Sequence, residues 1–589
     1  MIDLEAPTPA GPSGADAFVA SAAASGVRTI WFTSGSELVP IQEAVLHAQA
    51  ERRPTPDIVT AVHEHVGLCQ AMGASMISGE PSCVAAHSDL GLLNFGGAIH
   101  NASVGGYPVL IVSGYPATSP QERTTPVFWK QQRSDQGEIV RQYVKWDYRP
   151  GVHEDLGTAT ARALQLALAP PAGPVYLALP SEAISGPTAV APSGVGAQDL
   201  GIPQLGSGPD DAVIDIARRL LEADRPLVLT DRVGRDNLAT ECLATLAAEF
   251  GIGVAATRHR MNLPDDSPAS VAPALEQADV VLVLDFAVPW VPAHNSPAPS
   301  AFVAVVGPDP AAAGIPLYEF AADIRLCADL GRFLAALGET MRRLSTADQR
   351  ERHGRRWDEM QREKERRGRA RAGQLAADRA GRVPTPLSIA AALNSVMDPD
   401  DLFAWELADA DAVHRIRTGT MFEKGGSSLG WAVAALTGAR HLDTARPAVC
   451  LTGDGSYIFG ISQALLWSQQ HLDCPVLTVV CNNRGYRTGT ESLVERYPNG
   501  FAARTGSFPG GTFDPPPDFA AEARAAGGFG ARVNDLIELD ETLAAARAAV
   551  ERERRPAVVD VWLPAHVTGA HPLRGASVGP NAQSGTKRP

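Results

Sequence analysis

Residues 451–483 read LTGDGSYIFGISQALLWSQQHLDCPVLTVVCNN. One apolar run, AVCLT, ends in Gly453-Asp454-Gly455, and the next, VLTVVC, ends in Asn482-Asn483. Between them IFGISQALLWSQQ has the period and length of one crossover helix, so the two runs are expected as neighbouring parallel strands. Ligands of open parallel sheets collect beyond the carboxyl ends of the strands. Asp454 and Asn483 are therefore expected together at one sheet edge, although 29 positions apart (483 − 454). A carboxylate and an amide oxygen are hard ligands that suit Mg²⁺, which commonly bridges protein to phosphate. Gly453 and Gly455 permit close backbone approach, and the helix start offers free N–H groups to an anion. The pair in this context reads as a Mg²⁺-bound diphosphate site; taken singly, GDG is a tight turn and NN a helix cap.

The same rhythm of short apolar runs and longer helix-like segments fills most of the 589 residues. It predicts an α/β protein of repeated βα units with mainly parallel sheets. Strands are expected at 27–32, 82–87, 108–114 and 174–180, then at 226–231, 280–286 and 302–307, and finally at 402–407, 448–453, 476–481 and 557–564. These group into domains at 1–185, 212–345 and 384–565. A Pro/Gly/Ser-rich linker over 186–211 separates the first two, and a charged helical connector over 346–383 the last two. The end, 566–589, lacks apolar periodicity and is expected to be flexible.

Composition narrows the class. With 45% hydrophobic and 20% charged residues the chain is an ordinary globular protein, and a net charge of −15 argues against a general nucleic-acid binder. No run approaches the ~18 apolar residues of a membrane span, and the start, MIDLEAPTPAGPSG, lacks the features of a signal peptide. Seven cysteines lie scattered without CxxC spacing, so no zinc site or disulfide framework is expected, and the setting is read as cytoplasmic. No GxGxxG follows a middle-region strand, which counts against a nicotinamide-dependent oxidoreductase.

GDG followed by about thirty residues and NN resembles the cofactor-anchoring motif of thiamine diphosphate (ThDP) enzymes. The spacing is slightly longer than in the best-known decarboxylases of that family, which points to a bulged helix entry. The resemblance implies pyrimidine-binding, middle Rossmann-like and diphosphate-binding domains. It implies Mg²⁺ held by Asp454, Asn483 and the Gly485 carbonyl, with Asn482 in support and Gly453, Gly455 and Ser456 beside the diphosphate. AVHEHVGLCQAMGASMISGEPS (61–82) is similar to the family segment whose glutamate activates the cofactor through the aminopyrimidine ring, which assigns that role to Glu64. GTMFEKGGSSLGWAVAALTGA (419–439) resembles the segment that clasps the cofactor, with Gly419, Thr420 and Met421 bordering the ring and Leu429 as the apolar wedge. Glu406, ending LFAWEL, is a further candidate.

Two relatives share the remaining likeness. HSDLGLLN (87–94) resembles benzoylformate decarboxylase, with His87 in the place of a proton-transfer histidine. An imidazole titrates near neutrality and suits that work, although a satisfied structural histidine has the same signature. FTSGSELVP (32–40) is similar to the same enzyme's substrate loop, which puts Ser36 at a substrate carboxylate, with a plain turn serine as an equal reading. FWKQQRSDQGEIVRQYVKWDYRP (128–150) looks instead like the glutamine loop of acetolactate synthases, with Gln132 as the matching residue to within about one position. Residues 484–518 are placed as a lid, from which Tyr486 and Arg487 meet substrate. Nothing in the middle region resembles flavin-dependent synthases, so FAD is not expected.

These likenesses imply a ThDP- and Mg²⁺-dependent enzyme acting on a 2-oxo acid, with active sites shared between subunits of a homodimer or homotetramer. Carboligation of the acetolactate synthase type is favoured slightly, with simple decarboxylation to an aldehyde close behind. A ThDP-binding subunit without turnover is the remaining alternative.

Overall fold

The computed structural model describes residues 11–123, 125–188, 194–256, 267–406, 413–414 and 417–564. The tail at 566–589 and residues 189–193 of the expected linker lie outside them. The protein is α/β, with three sheets whose strand pairs are all parallel.

The first sheet comprises β1 (Thr29–Phe32), β2 (Asp57–Thr60), β3 (Ser82–Ala86), β4 (Val109–Tyr115), β5 (Asp147–Tyr148) and β6 (Val175–Pro180). Their spatial order is β2-β1-β3-β4-β6-β5. The second holds β7 (Pro226–Thr230), β8 (Gly253–Ala256), β9 (Val280–Leu284), β10 (Phe302–Gly307) and β11 (Ile324–Cys327), in the order β11-β10-β9-β7-β8. The third holds β12 (Leu402–Glu406), β13 (Met421–Phe422), β14 (Ala448–Gly453), β15 (Leu477–Asn482), β16 (Phe529–Val533) and β17 (Ala557–Trp562), in the order β13-β12-β14-β15-β17-β16. First and third sheets thus share one topology, in which the second strand lies outside the first and the sixth inside the fifth. In each the order reverses beside the first strand, between β1 and β3 and between β12 and β14. Such a switch point leaves a crevice at the carboxyl ends of the strands.

Central strands are buried on both faces because helices cover the sheets, and they accordingly read as continuous apolar runs. The first and third sheets pack together through the Glu64–Ser78 and Ala432–Leu442 helices. Glycines set that approach: a Cβ on Gly73 would stand 1.8 Å from the Ala435 carbonyl oxygen, and one on Gly438 2.1 Å from that of Gln70. Trp31, Met72, Trp431 and Leu436 share one core across this seam. The described part of the linker is packed rather than loose, with Ala197 buried and the Val195 N–H directed at Ser21 Oγ. The charged connector forms a single helix, Ala347–Gly381, of which only His353 and Met360 are buried. Among the described residues no helix is long and apolar enough to cross a membrane.

Between Asp454 and Asn483 the crossover is two helices, Asp454–Phe459 and Ser462–His471, not one. The break falls at Gly460–Ile461, where Ile461 takes a left-handed φ of 59°. The expected irregularity lies there, after the first helix rather than at its entry.

Candidate active site

Glu37 follows β1 and His87 follows β3, so the first crevice brings them face to face. Glu37 Oε1 lies 2.7 Å from His87 Nδ1; the carboxylate is buried and the imidazole 27% exposed. Two glycines make the room: a Cβ on Gly35 would stand 2.4 Å from His87 Nδ1, and one on Gly114 1.8 Å from Glu37 Cγ. The Glu37 carboxylate raises the His87 pKa above its ordinary value, against the lowering effect of partial burial. On the other side of the ring, Gln131 Nε2 lies 2.8 Å from His87 Nε2. In the neutral ring the Gln131 amide N–H donates to Nε2. In the imidazolium a half-turn of the amide presents Oε1, which has no other partner. His87 is therefore held in either protonation state.

Glu64 opens its helix after β2, next to the same crevice, and is buried. The Asn94 side-chain amide donates to Glu64 Oε2 at 3.0 Å. Gly91 lies against the other oxygen, where a Cβ would stand 3.0 Å from Oε1. Glu64 is close enough to His87 for its charge to add to the raised pKa. Ser36 Oγ donates to Glu37 Oε2 at 3.3 Å, which places it in the same group. Gln132 does not join it: its side chain accepts from Arg123 Nη2 and lines a surface cleft. The glutamine at His87 is Gln131, one position before the expected one. That is within the register the sequence allowed, so Glu37 is the member that sequence reasoning missed.

The second crevice lies between β12 and β14. Asp454 sits at the end of β14, buried, with Oδ1 accepting from the Gly455 N–H at 2.8 Å and Oδ2 from the Gly485 N–H at 3.0 Å. The loops after β14 and β15 are thereby joined, as their spacing predicted. Burial raises the Asp454 pKa, and the backbone N–H groups offset part of the rise. Asn482 is fully engaged: its amide donates to Asp560 Oδ1 at 2.8 Å, and its oxygen accepts from the Arg484 N–H at 3.1 Å. Asn483 Oδ1 is buried with no partner. The Gly485 carbonyl accepts only from the Arg487 N–H among the described backbone bonds, at 3.1 Å.

A buried carboxylate with no ion-pair cation among the described residues, and an orphaned amide oxygen on the loop that its Oδ2 bonds to, are the donor chemistry of a small hard metal ion. Space for an anion is also present, because none of the described residues stands within 4 Å of where a Gly453 side chain would be. Ser456 lies buried in the first turn of the following helix. The residues fit Mg²⁺ and a diphosphate.

Several other candidates border this crevice. Gly430, at φ 87°, presses against the end of the Asp454 helix, where its Cβ would stand 2.4 Å from the Gly460 nitrogen. Leu429, partly exposed, is carried to the same place. Gly419, Thr420 and Met421 do not reach the crevice: they lead into β13, whose Met421 pairs with Phe403, short of the carboxyl end of β12 at Glu406. Gly419 (φ 71°) faces Asn237, while the Met421 side chain belongs to the hydrophobic core. The Tyr486 ring covers Gly455, 3.1 Å from where a Cβ on that glycine would stand, and meets Phe459 and Phe513 edge-on. Arg487 is engaged along its own helix, with Nε 2.7 Å from Glu491 Oε1. Glu406 accepts from the Trp431 N–H at 3.1 Å and so caps the Ala432–Leu442 helix. Burial raises its pKa, and Lys424 counters part of the rise.

Residues 12–139 match the thiamine pyrophosphate enzyme N-terminal TPP binding domain, and residues 408–561 match the C-terminal TPP binding domain. Benzoylformate decarboxylase of Pseudomonas aeruginosa is 25% identical over 453 residues, 73% of this chain and 79% of that one. Catabolic acetolactate synthase of Raoultella terrigena is 23% identical over 578 residues, 93% of this chain and 94% of that one. A solved structure of thiamine diphosphate-dependent 4-hydroxybenzoylformate decarboxylase from Rhodococcus jostii RHA1 superposes with a TM-score of 0.75 at 20% identity. It covers 95% of this chain and 100% of its own, a likeness of fold. The N-terminal match holds the crevice of Glu64 and His87 and the C-terminal match that of Asp454 and Asn483, so the chain carries both TPP binding domains of the thiamine pyrophosphate enzymes.

Proposed function

We propose that the protein decarboxylates a 2-oxo acid in a ThDP- and Mg²⁺-dependent reaction and releases an aldehyde. Asp454, Asn483 and the Gly485 carbonyl would hold the metal, and Glu64 would be the carboxylate that meets the aminopyrimidine ring. Bound ThDP supplies the electron sink for loss of CO₂. The bond between the carbonyl carbon and the carboxylate breaks, CO₂ leaves, and a proton takes its place. His87 delivers that proton, Glu37 favours its charged form, and Gln131 holds the ring while it gives and regains the proton. Ser36 is directed toward the substrate carboxylate. Tyr486, over Gly455, narrows the entrance and limits water.

The observation that carries this reading is the Glu37–His87 contact of 2.7 Å. A buried carboxylate behind an imidazole suits protonation more directly than addition to a second carbonyl. Carboligation, favoured from the sequence, remains the second reading, supported by the acetolactate synthase relative that aligns over 93% of the chain. The test is CO₂ release across a panel of 2-oxo acids, with and without aldehyde acceptors, with products identified. Aldehyde as the main product in the presence of acceptor supports the proposal; ligated hydroxyketone overturns it in favour of carboligation. Glu64→Gln should retain ThDP and lose most turnover, and undiminished turnover would remove Glu64 from the chemistry. The seven cysteines are all unpaired, which suits the proposed cytoplasmic setting.

A further inference from the structure

Beside the His87 group, and outside everything assigned above, an open cleft of about 450 Å³ is lined by Tyr115, Thr118, Trp129, Gln132, Arg133 and Arg149. Its charge is opposite to that of the chain, whose net charge is −15. Arg149 lies over the Tyr115 ring at 4.7 Å and its Nη1 is 3.5 Å from the Ser134 carbonyl; Asp135 is near enough to feel its charge, but no ion pair engages Arg149 among the described residues. Arg133 Nε is 2.9 Å from Asp89 Oδ2, which is buried. Arg123, outside the lining itself, lies over the Trp129 ring at 5.0 Å and donates to Gln132, so it stands behind two of the lining residues.

Two links, one along the chain and one through an ion pair, tie the cleft to the reacting centre. Gln132, on its wall, directly follows Gln131, which touches His87, and successive Cα atoms lie about 3.8 Å apart. Arg133 is anchored by Asp89, two residues beyond His87, and Asp89 is close enough to contribute to the raised His87 pKa. A substrate carbonyl held at His87 thus has this basic cleft within reach of its far end. Guanidinium groups fixed by ring stacking present paired N–H donors that suit a carboxylate or phosphonate oxygen pair.

We propose that this cleft, resting on the 2-oxo acid reading above, binds a second anionic group, so that the donor is a 2-oxo acid whose side chain ends in a carboxylate or another oxyanion. Arg149 is the principal contact, with Arg133 holding the other side.

The test compares 2-oxoglutarate with 2-oxopentanoate, which match in chain length and differ in the terminal charge, in wild type and in Arg149→Gln. Arg149 is exposed and strands no buried carboxylate when replaced, so the variant keeps its fold; Arg133→Gln would leave Asp89 unpaired. The expected result is a kcat/KM ratio, dicarboxylate over monocarboxylate, that falls at least tenfold in Arg149→Gln, mainly through KM. An unchanged ratio overturns the proposal, as does a variant whose main change is in oligomeric mass, which would make the cleft a subunit contact. Calorimetric titration with glutarate, which has no 2-oxo group to react, reads the cleft independently of catalysis. Binding to wild type that is lost in Arg149→Gln supports the cleft even if no 2-oxo acid is turned over, an outcome that would sink the enzymatic reading alone. Absence of glutarate binding to wild type overturns the cleft.

Discussion

At His87 the decisive group is not the imidazole but the carboxylate behind it. With Glu37 at 2.7 Å the charged ring is favoured. Glu37→Gln removes the charge and keeps the shape, so the His87 pKa moves down toward its ordinary value. The limb of the pH–rate profile that reports loss of the proton should shift to lower pH, and turnover near neutrality should fall about tenfold to a hundredfold. An unshifted limb would make Glu37 a packing residue. The two asparagines after β15 divide in the same residue-by-residue way. Asn483→Ala deletes an orphaned oxygen, so it should leave the unliganded protein's unfolding midpoint nearly unchanged while Mg²⁺-dependent ThDP binding weakens at least tenfold, read by calorimetry. Asn482→Ala takes the donor away from buried Asp560 and should cost about 1–3 kcal/mol in urea unfolding. Asp454, Asn483 and Glu64 were legible because each closes or opens an element with a clear apolar pattern. Glu37 was not, since a glutamate after a turn serine carries no periodic mark, and two adjacent glutamines left the register of Gln131 open by one position. Only the crevice between β1 and β3 brings both to His87.

Among the elements, the pairing of the Glu64–Ser78 and Ala432–Leu442 helices has the least tolerance. Each lends a glycine to a backbone carbonyl of the other, at Gly73 and at Gly438. Alanine at either position has the right helical preference and no room. Gly438→Ala should therefore destabilise by about 1–3 kcal/mol or more, despite removing a helix-weakening glycine. Thermal unfolding checks the sign: a raised midpoint would mean that the helices separate without cost. Strand legibility follows burial with equal clarity. All eleven strands expected from the sequence are interior to their sheets, and the six that were missed, β2, β5, β8, β11, β13 and β16, are the edges. An interior strand covered by helices on both faces must be apolar throughout. An edge strand such as Asp57–Thr60, exposed at both ends, has no such requirement and reads as a loop. The interrupted crossover was missed for a related reason, since the left-handed turn at Ile461 falls on a residue type that does not announce one.

Over the whole molecule, two sheets of one topology each present a switch crevice, and each crevice is flanked by apolar groups left facing solvent. Val62, Leu90 and Leu93 surround Glu64, and Leu93 is 61% exposed; Ile458 and Phe459 lie on the helix that Asp454 opens, and Phe459 is 49% exposed. We propose that a second copy covers these apolar rims, with the Glu64 crevice of one chain meeting the Asp454 crevice of the other. Neither half is then competent alone, and the consequence can be measured without any structure of the assembly. Glu64→Gln and Asp454→Asn chains should each be nearly inactive as homo-oligomers. When they are unfolded together in equal amounts and refolded, half of the resulting dimers are mixed. Each mixed dimer carries one site with both defects and one with neither, so activity should return to about a quarter of the wild-type value per chain. If each site were built from a single chain, every site would keep one defect and mixing would restore nothing.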